Sequence, residues 1–209
     1  MQDFCSFSDF ETFLAARLSG DLPGRTAHGR MAAAHYKDWP EPQPDSRSSA
    51  VLILFYPYDG GIGFPVILRP VYNGVHSGQV AFPGGKADPE DKNLYETALR
   101  EAWEEIRAPY KEINILGSLS EIYISVSDMK VVPVIGTLPF RPEFFPDPRE
   151  VQEIREIALS EILRKEVIGQ GRVPVRGGYI TAPFYQYSGL QIWGATAMMI
   201  SELSAIIGA

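Results

Sequence analysis

Short apolar runs separated by glycine and proline fill the middle of the chain. Ala50–Tyr56 is a continuous apolar run, and Gly60-Gly61 separates it from a second run over Ile62–Leu68. Runs of this length between turn residues predict buried strands, here paired as a hairpin. Further strands are predicted over 79–82, 113–123, 129–137 and 172–187, with a mixed strand and helix over 150–165.

Apolar residues recur at helical spacing in three other segments. The first lies between the serines at 6 and 8, either of which can cap a helix, and Gly20, which predicts a helix over 7–19. The same periodicity predicts a central helix over 93–106 and a terminal helix over 195–207. Strands on both sides of one central helix, with helices at both ends, are typical of an α+β protein built as an α/β/α sandwich.

The segment 21–49 is polar and rich in proline. This composition predicts an extended connection, with a short helical piece around Met31–His35. Because long structureless loops are uncommon in compact domains, we expect this one to pack on the surface of the main domain. The sequence therefore divides into 1–49, an N-terminal helix and extended connection packed on the main domain, and 50–209, the main domain.

Composition and charge narrow the range of functions. The 209 residues are 45% hydrophobic and 22% charged, as in globular proteins, which excludes disorder and coiled coil. Lys and Arg number 19 against 26 Asp and Glu, so the net charge is −7. A field of this sign repels phosphate backbones, and we expect no nucleic-acid partner. A small anionic substrate would need local cations.

The same composition bears on redox chemistry and location. Cys5 is the only cysteine, which rules out an intramolecular disulfide and thiolate zinc sites. The N-terminus lacks the basic and apolar regions of a signal peptide. The longest strongly apolar run has seven residues, whereas about 20 are needed to span a bilayer. We therefore expect a soluble, cytoplasmic protein with no membrane partner.

The central helix has its acidic residues in a distinctive pattern. At ~100° per residue, Glu101 and Glu105 lie one turn apart beside the apolar stripe, and Glu104 lies further towards solvent. Arg100 is on the other side, within i±4 reach of Glu104 or of Glu96. The core-facing stripe comprises Tyr95, Ala98, Leu99, Ala102 and Ile106. Asn93 or Asp91 can cap the N-terminus, and Asn93 with Glu96 approximates a capping box.

Two carboxylates one turn apart repel each other, and more strongly where burial limits screening by water. A hard dication between their oxygens reverses this, and Mg²⁺ accepts carboxylates together with substrate phosphates. The alternative is a solvated acidic helix face. The metal interpretation is favoured by Phe82-Pro83-Gly84-Gly85, a strand end followed by backbone that tolerates positive φ and can approach a ligand closely.

These residues together resemble the signature of Nudix hydrolases. The signature is a Gly, an acidic residue six later and an Arg-Glu-apolar-x-Glu-Glu block, here Gly85, Asp91 and 100–105. The most similar subgroup is the coenzyme A pyrophosphatase-like branch, because Arg69 precedes a His-x-Gly-Gln segment at 76–79 and then Phe-Pro-Gly-Gly. The similarity runs from residue 50 to about 197. It implies a Nudix-type α/β/α sandwich with a mixed central sheet and an added N-terminal helix.

The resemblance also implies a reaction and a cofactor. Nudix enzymes hydrolyse nucleoside diphosphates linked to another moiety, by attack of water on phosphorus with Mg²⁺ or Mn²⁺. It implies Glu101 and Glu105 as direct metal ligands, Glu104 as a ligand directly or through water, and the Gly85 carbonyl as a backbone ligand. Arg100 is implied to orient a glutamate. Homodimers are common in the family, so a homodimer is a candidate assembly.

The general base and the substrate contacts have several candidates. A helix glutamate serves as base in some members and a loop glutamate in others, which adds Glu150 and Glu153. Arg69, His76 and Lys86 could contact phosphate. The structural alternatives are a solvated arginine, a hydrogen-bonded turn histidine and an exposed loop lysine. Two aromatic residues, Tyr185 and Trp193, could stack on adenine, although aromatics at strand ends are more often part of the core.

The substrate implied first is coenzyme A or an acyl-coenzyme A, giving 3′,5′-ADP and a phosphopantetheine product. The chain departs from that branch at Ile67, Pro70 and Gly74, where Thr, Ser and Arg are typical, and from the family at Arg107, where Gly is usual. The alternatives are another nucleotide, such as ADP-ribose or a dinucleoside diphosphate, and a non-catalytic domain that senses a nucleotide.

Overall fold

The structure is a computed structural model that describes residues 4–33, 39–72 and 74–208. Its elements in chain order are α1 (Phe7–Leu18), α2 (Arg25–His28), β1 (Arg47–Tyr58), β2 (Gly61–Leu68), β3 (Val80–Ala81), β4 (Gly84–Lys86), α3 (Leu94–Ile106), β5 (Asn114–Ser118), β6 (Ile122–Ile124), β7 (Met129–Thr137), β8 (Glu153–Ala158), α4 (Leu159–Ile162), a 3₁₀ turn (Lys165–Val167), β9 (Ile168–Val175), β10 (Gly178–Tyr187), β11 (Leu190–Trp193) and α5 (Gly194–Ile207).

A mixed sheet built around β1 forms the centre of the molecule. β1 runs parallel to β7 and antiparallel to its other neighbours, pairing with β2 beside their hairpin turn and with β4 at its opposite end. β2 also pairs with β3 and β8, and β7 with β5 and β6. The last three strands form a separate antiparallel sheet in the order β11-β10-β9. The predicted mixed sheet is therefore confirmed.

Helices cover both faces of this sheet because β1 is apolar on both sides. Leu52 and Leu54 belong to the apolar cluster that contains α3. Ile53 and Phe55, which alternate with them, belong to the cluster that contains α1 and α5. The residues from Ala50 to Tyr56 are largely excluded from solvent, as expected for a strand covered on both faces. The predicted α+β fold, an α/β/α sandwich, is confirmed.

The N-terminal helix follows its sequence closely. Ser6 adopts an extended conformation, and its Oγ accepts a hydrogen bond from the Asp9 amide at 3.1 Å, as an N-cap does. Phe10 and Leu14 are fully buried, and Phe10 meets Phe55 edge to face at 5.2 Å. The periodic apolar positions therefore pack this helix against the sheet.

The connection after α1 lies against α5 through a buried carboxylate. Glu202 is fully buried and accepts hydrogen bonds from the Gly24 amide at 3.0 Å and from the Ser120 hydroxyl at 2.6 Å. It also lies 2.8 Å from His28 Nε2. These contacts join the connection after α1, the segment at Ser120 and α5 around one carboxylate. They supply the hydrogen bonds without which a buried carboxylate would be costly. The division of the chain at residue 49 stays a prediction.

Several predicted boundaries were wrong. The short helix is α2, six residues before the predicted piece at 31–35, and that piece falls partly on 34–38, outside the described residues. The contacts of Glu202 with Gly24 and His28 are non-local, so local pattern could not place this turn. The predicted strand over 113–123 is two strands, β5 and β6. No helix in the described ranges is long and apolar enough to span a membrane.

Candidate active site

Gly84 places the end of β4 directly against β1. Its φ is 155°, and a Cβ at this position would lie 2.3 Å from the carbonyl oxygen of Ala50 and 2.5 Å from the Cα of Val51. Both clashes are with backbone, so only glycine fits. The Gly84 amide donates a hydrogen bond to Oε2 of Glu105 at 2.8 Å.

Gly85 packs against the carboxylate of Glu101, the second glutamate of the site. A Cβ on Gly85 would lie 2.4 Å from the carboxyl carbon of Glu101 and within 2.5 Å of both its oxygens. The Glu101 carboxylate therefore lies directly against the Gly85 backbone. The two consecutive glycines thus contact two glutamates of α3. Gly84 binds Glu105 through its amide, and Gly85 lets the Glu101 carboxylate approach the backbone more closely than a residue with a Cβ would.

The start of α3 fixes the rotation of the helix. Oδ1 of Asn93 accepts hydrogen bonds from the amides of Tyr95 at 2.9 Å and Glu96 at 3.0 Å, so Asn93, one of the two predicted candidates, is the N-cap. The predicted capping box is half formed, because the Glu96 carboxylate accepts from the Lys92 amide instead. Tyr95 was wrongly assigned to the core: it is 39% exposed, whereas Thr97, two residues later, is fully buried.

Glu105 is a buried acid. It is 1% exposed, and burial raises its pKa to about 8. The Gly84 hydrogen bond and the nearby Arg69 guanidinium oppose this rise in pKa, whereas the charges of Glu101 and Glu150 add to it. These four groups therefore act on one buried carboxylate.

Glu101 and Glu104 are progressively more exposed. The Glu101 side chain is 14% exposed, and burial raises its pKa against the opposing effect of Arg100, whose Nη1 donates to Glu101 Oε1 at 3.0 Å. The Glu104 side chain is 53% exposed, and the same Nη1 donates to its Oε2 at 3.3 Å. The order of exposure agrees with the helical wheel, with Glu105 innermost.

Arg100 joins the loop before α3 to the glutamates. Its Nε and Nη2 donate to the two carboxylate oxygens of Asp91, each at 2.9 Å, and Nη2 also donates to the carbonyl of Lys86 at 3.0 Å. The guanidinium holds the pKa of Asp91 well below its usual range. Asp91 also accepts from the Thr97 hydroxyl at 2.8 Å. Asp91 was missing from the predicted site residues, although its place in the signature was a usable signal.

The three predicted substrate contacts lie upstream of α3. Arg69 is half-buried, and its Nε is buried without a hydrogen-bond partner among the described residues. His76 has φ 67° and lies 3.0 Å through Nδ1 from Gln79 Oε1, so Nε2 is the nitrogen left to meet a ligand. Burial and the Arg69 charge lower the pKa of His76. Lys86 has an exposed side chain.

The loop after β7 brings a fourth carboxylate to the site. The Asp147 amide donates to the Glu105 carbonyl at 2.8 Å, and the Glu150 amide donates to the Asp147 carbonyl at 3.1 Å. A backbone hydrogen bond therefore attaches this turn to the last turn of α3. Glu150 is exposed and close enough to raise the pKa of both helix acids. Glu153 instead pairs with Arg155 at 2.7 Å.

The carboxylates suit a hard dication but do not form a preassembled cage. Within the described residues, no three His, Cys, Asp or Glu side chains converge closely enough to hold a metal ion. Glu105 is held by the Gly84 amide and Glu101 by Arg100. Carboxylate oxygens are the preferred ligands of Mg²⁺, and a nearby dication would favour the charged form of a buried acid with a raised pKa. By this test the residues fit a divalent metal.

The remaining candidates are structural. Tyr185 is 3% exposed, and the half-buried Trp193 packs against the small apolar group of Ala33, Val173 and Ala182. Arg107, the departure from the usual glycine, forms the C-cap of α3 in the left-handed conformation. A cavity of about 890 Å³ lies along β8, and none of the described residues that line it belongs to the predicted site.

Comparison with known proteins agrees with this arrangement. The NUDIX domain family matches residues 46–175. A Photorhabdus laumondii protein named uncharacterized Nudix hydrolase NudL is 42% identical over 129 residues, covering 62% of this chain and 68% of that protein. NudL of Yersinia enterocolitica is 40% identical over 131 residues, covering 62% and 66%. This chain thus spans about two thirds of the length of these relatives.

Among solved structures, a Nudix hydrolase from M. smegmatis, RenU, is 21% identical with a TM-score of 0.48, covering 56% of this chain and 73% of that one. The family match covers more than half of the chain and includes all of α3 with the loop before it. The chain therefore belongs to the Nudix hydrolase family.

Proposed function

We propose that this protein hydrolyses the diphosphate bond of a nucleoside diphosphate linked to another moiety, with Mg²⁺ or Mn²⁺ held by α3. Family membership supports a hydrolase of nucleoside diphosphate derivatives, and Nudix hydrolases generally need a divalent metal. The observation that carries the proposal is the pair of glutamates packed on consecutive glycines. Glu105 accepts a hydrogen bond from the Gly84 amide, and the Glu101 carboxylate lies against the Gly85 backbone.

The proposed ligands are Glu101 and Glu105, with Glu104 direct or through water and the Gly85 carbonyl completing the set. When bound, the metal supplies charge neutralisation of the diphosphate and activation of water. Arg100 acts as a positioning residue, because one guanidinium holds Glu101 and Glu104 and ties them to Asp91. This bracing fixes the helix acids in place before substrate arrives.

Arg69, His76 and Lys86 are proposed to contact the substrate phosphates. Arg69 has the strongest support of the three, since its Nε is buried without a partner among the described residues and its charge acts on Glu105. A buried donor without an acceptor is costly, and a phosphate oxygen would satisfy it. His76 would contribute through Nε2, because Nδ1 is occupied by Gln79.

Glu150 is the proposed general base, accepting a proton from the attacking water. It is exposed, it belongs to the turn suspended from the Glu105 carbonyl, and its charge acts on Glu101 and Glu105. A general base must reach the attacking water, and its carboxylate must not be held in a stable ion pair. Glu153 is less suited to this role because Arg155 lies 2.7 Å from its carboxylate.

Coenzyme A or an acyl-coenzyme A is the proposed substrate, on the strength of the Phe-Pro-Gly-Gly and His-x-Gly-Gln segments. The structure bears on one of the departures from that branch. Ile67 is fully buried in the cluster beneath α3, so its side chain packs in the core and does not face a ligand. Pro70 and Gly74 are half-buried in the loop beside Arg69. ADP-ribose and dinucleoside diphosphates are the alternative substrates, and a nucleotide-sensing domain is the non-catalytic alternative.

A substrate panel tests the proposal. Coenzyme A, ADP-ribose, NADH and diadenosine compounds would each be incubated with Mg²⁺ and scored by product mass. Glu105→Gln should lower turnover by roughly two orders of magnitude or more, because it removes a proposed metal ligand. Glu112→Gln, an exposed glutamate outside the site, is the matched control. No product from any compound, or full activity in excess chelator, would contradict the proposal.

A further inference from the structure

A small cavity lies on the face of the main sheet opposite α3. It is formed by the residues after α2, the 3₁₀ turn, β10 and α5, and it has a volume of about 230 Å³. Pockets for drug-sized ligands usually measure ~300–1,000 Å³, so this one suits a smaller molecule. Its lining comprises Arg30, Met31, Leu163, Lys165, Ile168, Tyr185, Ser201 and Ser204. None of these residues belongs to the proposed hydrolase site.

Two cations meet at this cavity from distant parts of the sequence. Arg30 and Lys165 both line it, and both are exposed. Throughout the described ranges neither one has a carboxylate within ion-pair distance, and no carboxylate lines the cavity. Between Glu166 and Glu202, the segment 167–201 contains no Asp or Glu. In a chain of net charge −7, both charged side chains that line this cavity are cations.

The walls of the cavity are divided between polar and apolar groups. Tyr185 is 3% exposed and is hydrogen bonded to Ser201. Burial raises the pKa of Tyr185, and the charge of Arg30 opposes this rise. Ser201 in turn donates to the Ala27 carbonyl at 2.7 Å, which fixes this side of the cavity. Met31 and Leu163 supply an apolar floor at 2% and 9% exposure. The cavity therefore offers cations for an anionic group beside a surface for an apolar one.

We propose that this cavity binds a small phosphate monoester, with Arg30 and Lys165 contacting the phosphate and Met31 and Leu163 contacting the organic group. A phosphate monoester carries a charge of about −1.5 to −2 at pH 7, which matches two cations better than a carboxylate does. Charge-assisted hydrogen bonds from Arg and Lys are the usual means of holding such a group. The proposal does not depend on the hydrolytic function.

Binding would be measured by isothermal titration in excess chelator, with phenyl phosphate and inorganic phosphate as probes at constant ionic strength. We expect phenyl phosphate to bind more tightly than inorganic phosphate, because only the former covers the apolar floor. The Arg30→Gln/Lys165→Gln double variant should weaken phenyl phosphate binding at least about tenfold. Both side chains are exposed, so the variant should keep the wild-type melting temperature.

Two controls separate this cavity from other anion sites. Arg172→Gln removes an exposed cation of the same acid-free stretch that stacks on Tyr179 at 4.5 Å and does not line the cavity, and it should leave the affinity unchanged. Arg69→Gln should also leave it unchanged. If Arg69→Gln abolishes binding while the double variant keeps it, the anion occupies the proposed hydrolase site, and the proposal fails. Absence of binding at millimolar phenyl phosphate also overturns it.

Discussion

Glu105→Gln should make the metal-free protein more stable at alkaline pH. Glu105 is buried, and its pKa is raised from 4.5 in the unfolded reference to about 8 in the folded protein. The folded state therefore holds a proton that the unfolded state releases. The stability associated with this group is fully present below pH 4.5 and is lost as pH rises through about 8. Glutamine keeps an acceptor for the Gly84 amide and carries no charge to bury.

The pKa difference sets the size of the effect. Each unit of pKa corresponds to ~1.4 kcal/mol, so the charged Glu105 destabilises the folded state by an amount on the order of 5 kcal/mol at most. Domains of this kind have a total stability of ~5–15 kcal/mol, so even a fraction of this amount is measurable. Glu101, whose pKa is also raised by burial, adds a slope of the same sign that Glu105→Gln leaves in place.

Urea unfolding at several values between pH 5 and 9, in chelator, measures this directly. We expect the wild type to lose stability across the range, and the Glu105→Gln variant to lose much less and to exceed the wild type at pH 9. Added Mg²⁺ should stabilise the wild type and have little effect on the variant. Parallel pH profiles for the two proteins, or a variant less stable than wild type at pH 9, would refute the reasoning. Glu112→Gln should reproduce the wild-type slope.

Substitutions at three other positions, each compared with a wild-type or matched variant, test single contacts. Gly85→Ala places a Cβ 2.4 Å from the Glu101 carboxyl carbon, so it should lower turnover by about tenfold or more through displacement of that side chain, with the circular dichroism spectrum retained. Arg107 adopts φ 57°. Arg107→Gly should therefore be more stable than Arg107→Ala by about 1 kcal/mol in urea unfolding, and equal stabilities would contradict a strained C-cap. Glu150→Gln should lower kcat by roughly 100-fold, because it removes the proposed proton acceptor. The matched Glu153→Gln should not, and the reverse result would reassign the base.

Helical spacing predicted the arrangement of the glutamates because α3 is long and strongly periodic. Its rotation about the axis placed Glu105 inside, Glu101 at the edge and Glu104 outside, as the exposures show. Periodicity failed at Tyr95, in the first turn of the helix. There Thr97, on a different face of the helix, is buried and donates to Asp91.

The rest of the site depends on contacts between residues far apart in sequence. The orienting hydrogen bond of Glu105 comes from Gly84, and the turn that carries Glu150 hangs from the Glu105 carbonyl. A helical wheel describes only residues within one helix, so it predicts neither contact. Asp91 had a visible place in the signature, but its bidentate contact with Arg100 required the fold of the loop between them. Sequence pattern therefore predicts which helix carries the chemistry, and the tertiary structure decides how its side chains are held.

Titration of Mn²⁺ into the wild type and Glu105→Gln, followed by the loss of the free-ion paramagnetic resonance signal, tests the central claim most directly. If Glu105 and Glu101 hold the cation, the wild type should bind Mn²⁺, and Glu105→Gln should bind it at least about tenfold more weakly. The Glu112→Gln control should match the wild type. Equal affinities for the wild type and the Glu105→Gln variant would show that α3 does not hold the metal.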